Sequence, residues 1–100
     1  MENDTIILPV HPGEILLEDY LKPSNMSQNQ LALKMRIPAQ RISEIINKKR
    51  KITPDTAIRL SLVIGTTPEF WLSLQCDYDL QTEMIQNESK IRREVMMALA

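Results

Sequence analysis

The sequence is poor in glycine, histidine, cysteine and aromatics, and each shortage excludes something. Two Gly in 100 residues leave no glycine-rich loop to cradle a phosphate. One Cys, Cys76, forbids an internal disulfide and does not suggest secretion. With His11 as the only histidine, the chain owns too few His and Cys ligands for a metal site. No metal and no cofactor are therefore expected. The carboxylates are scattered over outward helix faces rather than clustered, so no enzyme is expected either. No stretch approaches the roughly 18 consecutive apolar residues of a membrane span. Met1-Glu2-Asn3-Asp4 lacks the basic start of a signal peptide. A cytoplasmic location, away from membranes, is the expectation. Four aromatics leave core building to Leu, Ile, Val and Met, whose flexible thioether fills gaps between helices.

What is present is ordinary in amount: 43% apolar and 25% charged residues, which fits one compact domain. The charge is not evenly spread. The net value is −1, but residues 34–59 hold eight bases against two acids, or +6. Residues 1–33 hold five acids and one base, and residues 60–100 six acids and three bases. A basic middle between acidic ends is a local electrostatic footprint. A solvated surface segment would also account for it.

Helix punctuation recurs along the chain. Thr5-Ile6-Ile7-Leu8 is the only strand-like run and reads as an arm or an edge strand, within an N-terminal arm at 1–10. A first helix opens at His11-Pro12-Gly13, with Pro12 in the first turn. Its stripe is Ile15, Leu16 and Tyr20, less cleanly Leu17 and Leu21, and Pro23 should stop it. Ser27 and Gln30 form a capping box for a short second helix with Leu31, Ala32 and Met35 inward. A turn at Arg36-Ile37 follows. A third helix starts at Pro38, with Ile42, Ile45 and Ile46 inward and Gln40, Arg41, Ser43, Glu44 and Asn47 outward. Thr53-Pro54-Asp55 opens a fourth, apolar nearly all round and so expected to be buried, ending at Gly65. Thr67-Pro68-Glu69 opens a fifth, carrying Phe70, Trp71 and Leu74. An apolar stripe of Leu80, Met84, Ile91, Val95 and Leu99 continues it, with Asp77-Tyr78-Asp79 as the place where it would break. The expected fold is all-α, a five-helix bundle. His11 reads as structural, shaping the start of helix one, and Cys76 as a small apolar residue.

Residues 27–47 make the strongest constellation: a short capped helix, a tight turn, and a second short helix with a polar outward face. In a helix-turn-helix the second helix enters the major groove and needs side chains that read base edges. Gln40 and Arg41 are of that kind, since Arg can grip guanine O6/N7 and Gln can grip adenine N6/N7. Lys34, Arg36, Lys48, Lys49 and Arg50 are candidate phosphate contacts. A generic solvated face remains the bland alternative.

The run Ser27-Gln28-Asn29-Gln30-Leu31-Ala32 followed by residues 37–47 resembles the Xre/Cro-type helix-turn-helix of phage repressors. His11-Pro12-Gly13-Glu14-Ile15-Leu16, Ile52-Thr53-Pro54-Asp55-Thr56-Ala57 and Thr67-Pro68-Glu69-Phe70-Trp71-Leu72 narrow the resemblance to the HigA/VapI antitoxins, over about residues 8–82. The resemblance implies a lambda-repressor-like DNA-binding bundle at 11–76 with a helical C-terminal extension at 77–100. It implies a homodimeric autorepressor on double-stranded operator DNA, nucleoid-associated when bound, that neutralises a small RelE-like mRNA endonuclease toxin. By position, Ala39, Gln40, Arg41 and Glu44 would read bases. Gln28 and Asn47 would contact the DNA backbone. The dimer interface is expected at Phe70, Trp71 and Leu74. A stand-alone repressor without a toxin, or a protein–protein interaction module, would fit the same residues. The family usually has Gly where this chain has Arg36 and Lys48. If those positions stay left-handed, each costs about 1 kcal/mol relative to glycine, which added phosphate attraction would offset.

Overall fold

The computed structural model describes residues 8–96 and 98. It is all-helical among these residues. Five helices follow one another: α1 (12–24), α2 (Gln28–Met35), α3 (Ala39–Ile46), α4 (Pro54–Ile64) and α5 (Pro68–Glu94). Of the expected arm or edge strand, Thr5, Ile6 and Ile7 lie outside the described residues, as does Leu99 of the C-terminal stripe.

Helix α1 begins on a buried histidine. The His11 Nδ1 accepts the Gly13 N–H at 2.9 Å, which caps the helix and places the ring proton on Nε2. Pro12 follows in the first turn without wasting a donor. The helix does not stop at Pro23. Residues Leu16–Leu21 are wound as a π-helix, and the Lys22 N–H reaches back five residues to Leu17. This widened turn accommodates the proline that follows, whose ring would otherwise press on the carbonyl four residues back. The chain leaves the helix at Asn25, in the left-handed region at φ 55°, a conformation that Asn tolerates. The widening also changes which side chains meet the core. Leu16 and Leu21 would stand about 140° apart at 3.6 residues per turn. Here both are buried, at 0% and 2% exposure.

Helix α2 has the expected capping box: Ser27 N–H donates to Gln30 Oε1 at 2.9 Å and Gln30 N–H donates to Ser27 Oγ at 3.0 Å. Pro38 stands one residue outside α3, as its N-cap, rather than in its first turn. Its carbonyl then receives the Arg41 N–H at 3.0 Å. Leu31, Ala32 and Met35 of α2 and Ile42 and Ile45 of α3 join Leu16, Leu21, Ile52, Ala57, Leu60 and Trp71 in one core.

Helix α4 is buried on one side only. Thr56, Ala57, Leu60 and Ser61 face inward, while Ile58 is 50% and Leu62 81% exposed. An apolar circumference implied burial all round. Instead α4 packs on α2 and α5 and its third face stays open. Helix α5 is one uninterrupted element of 27 residues, with no break at Asp77-Tyr78-Asp79. Its first turns, which carry the residues expected at the dimer interface, pack on the core. Trp71 is fully buried. Its indole N–H donates to Thr66 Oγ1 at 2.6 Å, and its ring packs against Tyr20 and Phe70. Leu74 is half-buried against the same core, and Phe70 is 37% exposed. The second half of α5 leaves the body. The radius of gyration is 16.9 Å against about 13 Å for a compact domain of 100 residues.

Gly13 is set where α1 meets the end of α3. A Cβ there would overlap the Ile45 carbonyl oxygen and lie 2.9 Å from Ile46 Cα. Gly13→Ala should therefore destabilise the protein by about 2–3 kcal/mol, read as a fall in Tm of roughly 10 °C or more. An unchanged Tm would mean the two backbones are not held together there. Burial, and then Lys48, hold the His11 imidazole below its ordinary pKa, with Asp79 opposing. The folded state thus prefers neutral His11. Its stabilisation is full above the ordinary value of 6.5 and falls away as the pH drops below it. Urea midpoints at pH 7.5 and pH 5 should differ in that direction. In His11→Asn, which keeps a capping oxygen, the part of the difference arising near pH 6 should vanish.

Candidate nucleic-acid interface

The hinge between α2 and α3 is made by a residue whose side chain disfavours the shape it adopts. Arg36 sits at φ 59°, ψ 44°. The Ile37 N–H closes back five residues onto Ala32 O at 3.1 Å, a Schellman closure. The end of α3 repeats the device: Lys48 is at φ 64°, and Lys49 N–H reaches Glu44 O at 2.8 Å. Both positions are left-handed, as glycine would make easy, and both carry a base. Arg36 stands before α3 and Lys48, Lys49, Arg50 and Lys51 follow it, so the eight-residue helix is bracketed by cations.

The outward face of α3 is more tightly organised than a solvated one. Gln40 is exposed, and Arg41 and Glu44 are half-buried. Gln40 Nε2 donates to Glu44 Oε2 at 3.0 Å, and Arg50 Nε donates to Glu44 Oε1 at 2.7 Å. The Arg50 hydrogen bond, then that of Gln40, holds the Glu44 carboxyl below the usual carboxylate range. Arg41 Nη1 donates to Asp55 Oδ2 at 3.2 Å, and Arg59 Nε donates to the same oxygen at 3.0 Å. Arg59 first, then Arg41, lowers the Asp55 pKa. Arg59 Nη1 also donates to Met35 O at 3.0 Å. Asn47 Nδ2 donates to Ser43 Oγ at 3.3 Å.

The basic loop after α3 is anchored from behind. Gln75 is a buried polar residue of α5. Its Oε1 accepts the Ile52 N–H at 2.9 Å, and its Nε2 donates to Asp79 Oδ1 at 3.0 Å. Asp79 in turn pairs with Lys51 at 3.2 Å. Lys48 lies 3.8 Å from Glu14. Among the described residues Lys34, Arg36 and Lys49 are exposed and have no carboxylate partner. Ala39 is exposed on the first turn of α3, and Gln28 is half-buried at the start of α2.

The expected base-reading residues thus sit on α3; of the expected phosphate contacts, Gln28 and Lys34 lie on α2, Arg36 in the turn after it, and Asn47, Lys48, Lys49 and Arg50 just after α3. Phe70, Trp71 and Leu74 lie apart on α5. Sequence reasoning missed Gln75, Asp55 as the partner of Arg41, and Arg59 as the residue that joins Asp55 to the Met35 carbonyl. The spacing of Asp55 and Arg59, four apart on one helix, was a readable sign of half of that network. Among the described residues no cluster of three or more His, Cys, Asp or Glu could hold a metal. No described helix is long and apolar enough to cross a membrane.

Since Arg36 and Lys48 are left-handed, Arg36→Gly and Lys48→Gly should each raise stability by about 1 kcal/mol, measured by urea unfolding. A loss of stability in either would mean the side chain holds the turn.

Comparison with known proteins gives a consistent set. A family model described as Helix-turn-helix matches residues 17–71. Virulence-associated protein I of Dichelobacter nodosus is 46% identical over 72 residues, which are 72% of this chain and 67% of that protein. An addiction module antidote protein of the HigA family from Coxiella burnetii is 47% identical, with a TM-score of 0.85 over 91% of this chain and 99% of that one. The Pseudomonas aeruginosa antitoxin HigA, solved with the higBA promoter, is 35% identical, with a TM-score of 0.87 over 91% and 99%.

Proposed function

The chain belongs to the Xre-type helix-turn-helix family that contains the HigA antitoxins and virulence-associated protein I, and from this we propose that it is an operator-binding autorepressor and antitoxin. The observation that carries the reading is α3. Its Ile42 and Ile45 are wholly buried, its opposite face carries Gln40, Arg41 and Glu44, and cations stand at both ends. The likeness to an antitoxin solved with promoter DNA supports it. Helix α3 enters the major groove of double-stranded DNA, where Ala39, Gln40, Arg41 and Glu44 meet base edges. Gln28, Lys34, Arg36, Asn47, Lys48, Lys49 and Arg50 serve the phosphates. The partner to be neutralised is a small RelE-like mRNA endonuclease encoded beside it.

So small a domain reads a short half-site, and a second copy doubles it. The dimer contact in this reading is the outer half of α5, where Leu80, Met84 and Ile91 recur at steps of four and seven residues and are 60%, 45% and 42% exposed. Phe70 and Leu74 border that surface, and Trp71 supports it from the core.

Arg41→Ala should cost about 1–3 kcal/mol of operator binding and relax one base position. Lys49→Ala should weaken all sequences alike and reduce the salt slope by about 0.9. Gel shifts across salt concentrations and base substitutions separate the two, and a uniform loss in Arg41→Ala would sink its base-reading role. Replacing Leu80 and Met84 with Glu should give a folded monomer by light scattering, and a persisting dimer would move the interface elsewhere. The antitoxin half is tested by inducing the adjacent reading frame with and without this protein. Arrest by the neighbour and rescue by this chain are expected. A harmless neighbour would leave a repressor without a toxin.

A further inference from the structure

Arg41 is held by a carboxylate from another helix, and that carboxylate is itself anchored. Asp55 lies in the first turn of α4, behind the Thr53 cap and the fixed φ of Pro54. Its Oδ2 takes Arg59 Nε at 3.0 Å as well as Arg41 Nη1 at 3.2 Å. Arg59 is tied at its other end to the Met35 carbonyl, at the close of α2. One chain of polar contacts therefore runs from α2 through α4 to the first turn of α3. It crosses the helix-turn-helix without using the turn.

On the operator-binding reading above, we propose that Asp55 is a specificity-determining residue, which positions the Arg41 guanidinium for one base pair and suppresses its attraction to DNA of any sequence. An unpaired arginine on a helix in the groove would swing to whichever phosphate lay nearest. The bond to Asp55 occupies one of five guanidinium N–H donors and biases the direction of the rest. Enough donors remain for a bidentate grip on guanine O6/N7. The negative charge of Asp55 opposes an approaching phosphate and offsets the pull of Arg41 on the backbone. Selectivity is a difference of two affinities, and this arrangement lowers the unwanted one. The side chains of Arg41 and Asp55 are 30% and 57% exposed, so the pair is weak enough to readjust at the DNA surface.

The test is selection from a randomised duplex library by the full chain, with Arg41→Ala, Asp55→Asn, Asp55→Glu and the double variant Arg41→Ala/Asp55→Asn. Wild type should select a motif with one position that Arg41→Ala erases. Asp55→Asn should lose about tenfold of the preference at that same position and leave the others sharp. Its binding to a fixed random duplex should tighten, with a salt slope steeper by about 0.9. Asp55→Glu should restore the preference, and the double variant should select as Arg41→Ala does. A sharp position in Asp55→Asn, or equal blurring of every position, would overturn the proposal while leaving operator binding in place. Failure of wild type to select any sequence would overturn the operator reading and the proposal together. Should Asp55→Asn not fold by circular dichroism, Arg59→Gln, which removes the second anchor, must blur the same position or the proposal fails.

Discussion

The position of α3 depends on a contact made by no side chain at all. At Gly13 the start of α1 lies directly on the Ile45 carbonyl and the Ile46 backbone. A helix of eight residues is too short to persist by itself in water. This one is fixed by that backbone contact on one side and by burial of Ile42 and Ile45 on the other. His11, which caps α1, stands two residues away. Its ring meets Tyr78 of α5 edge-on, with centroids 4.8 Å apart. The first turn of α1 thus ties α3 to the long C-terminal helix. The polar face of α3 is a consequence: with its inner side pressed on α1 and the core, residues 40, 41, 44 and 47 have only the outside left.

The electrostatics follow the same economy. The sequence shows a basic block, but the structure engages much of it internally. Glu44 takes Arg50, Asp55 takes Arg41 and Arg59, Glu14 approaches Lys48, and Asp79 takes Lys51. Exposed pairs of this kind add little stability. Their effect is directional: they fix where the remaining positive charge points. Two of the left-handed caps, at Arg36 and Lys48, accept backbone strain in places where a basic side chain lies next to α3.

What was legible in the sequence was local. Caps at Ser27, Thr53 and Thr67, the stop at Gly65 and the inward isoleucines of α3 all follow from contacts within a turn or two. The misjudged features were those set by distant partners. Pro23 failed as a stop because of the widened turn upstream, and that same turn is why Leu21 fits the stripe better than 3.6-residue spacing allows. The site that Tyr20 and Thr66 make for Trp71 is set by residues outside its own helix. Ile58 and Leu62 read as buried because composition cannot say which side of a helix is left uncovered. The Arg41–Asp55 bond spans 14 positions and leaves no periodic trace. The helix-turn-helix itself was fully readable, because its resemblance rested on several ordered motifs.

The uninterrupted course of α5 has a mechanical meaning. Twenty-seven residues make a rod of about 40 Å at 1.5 Å per residue. One end is wedged into the core by Trp71 and holds the basic loop through Gln75; the other end stands clear. With no hinge at residues 77–79, the rod cannot absorb a sideways load by bending at one point. A load on its free end is passed to the body through the wedged end, and so to α3.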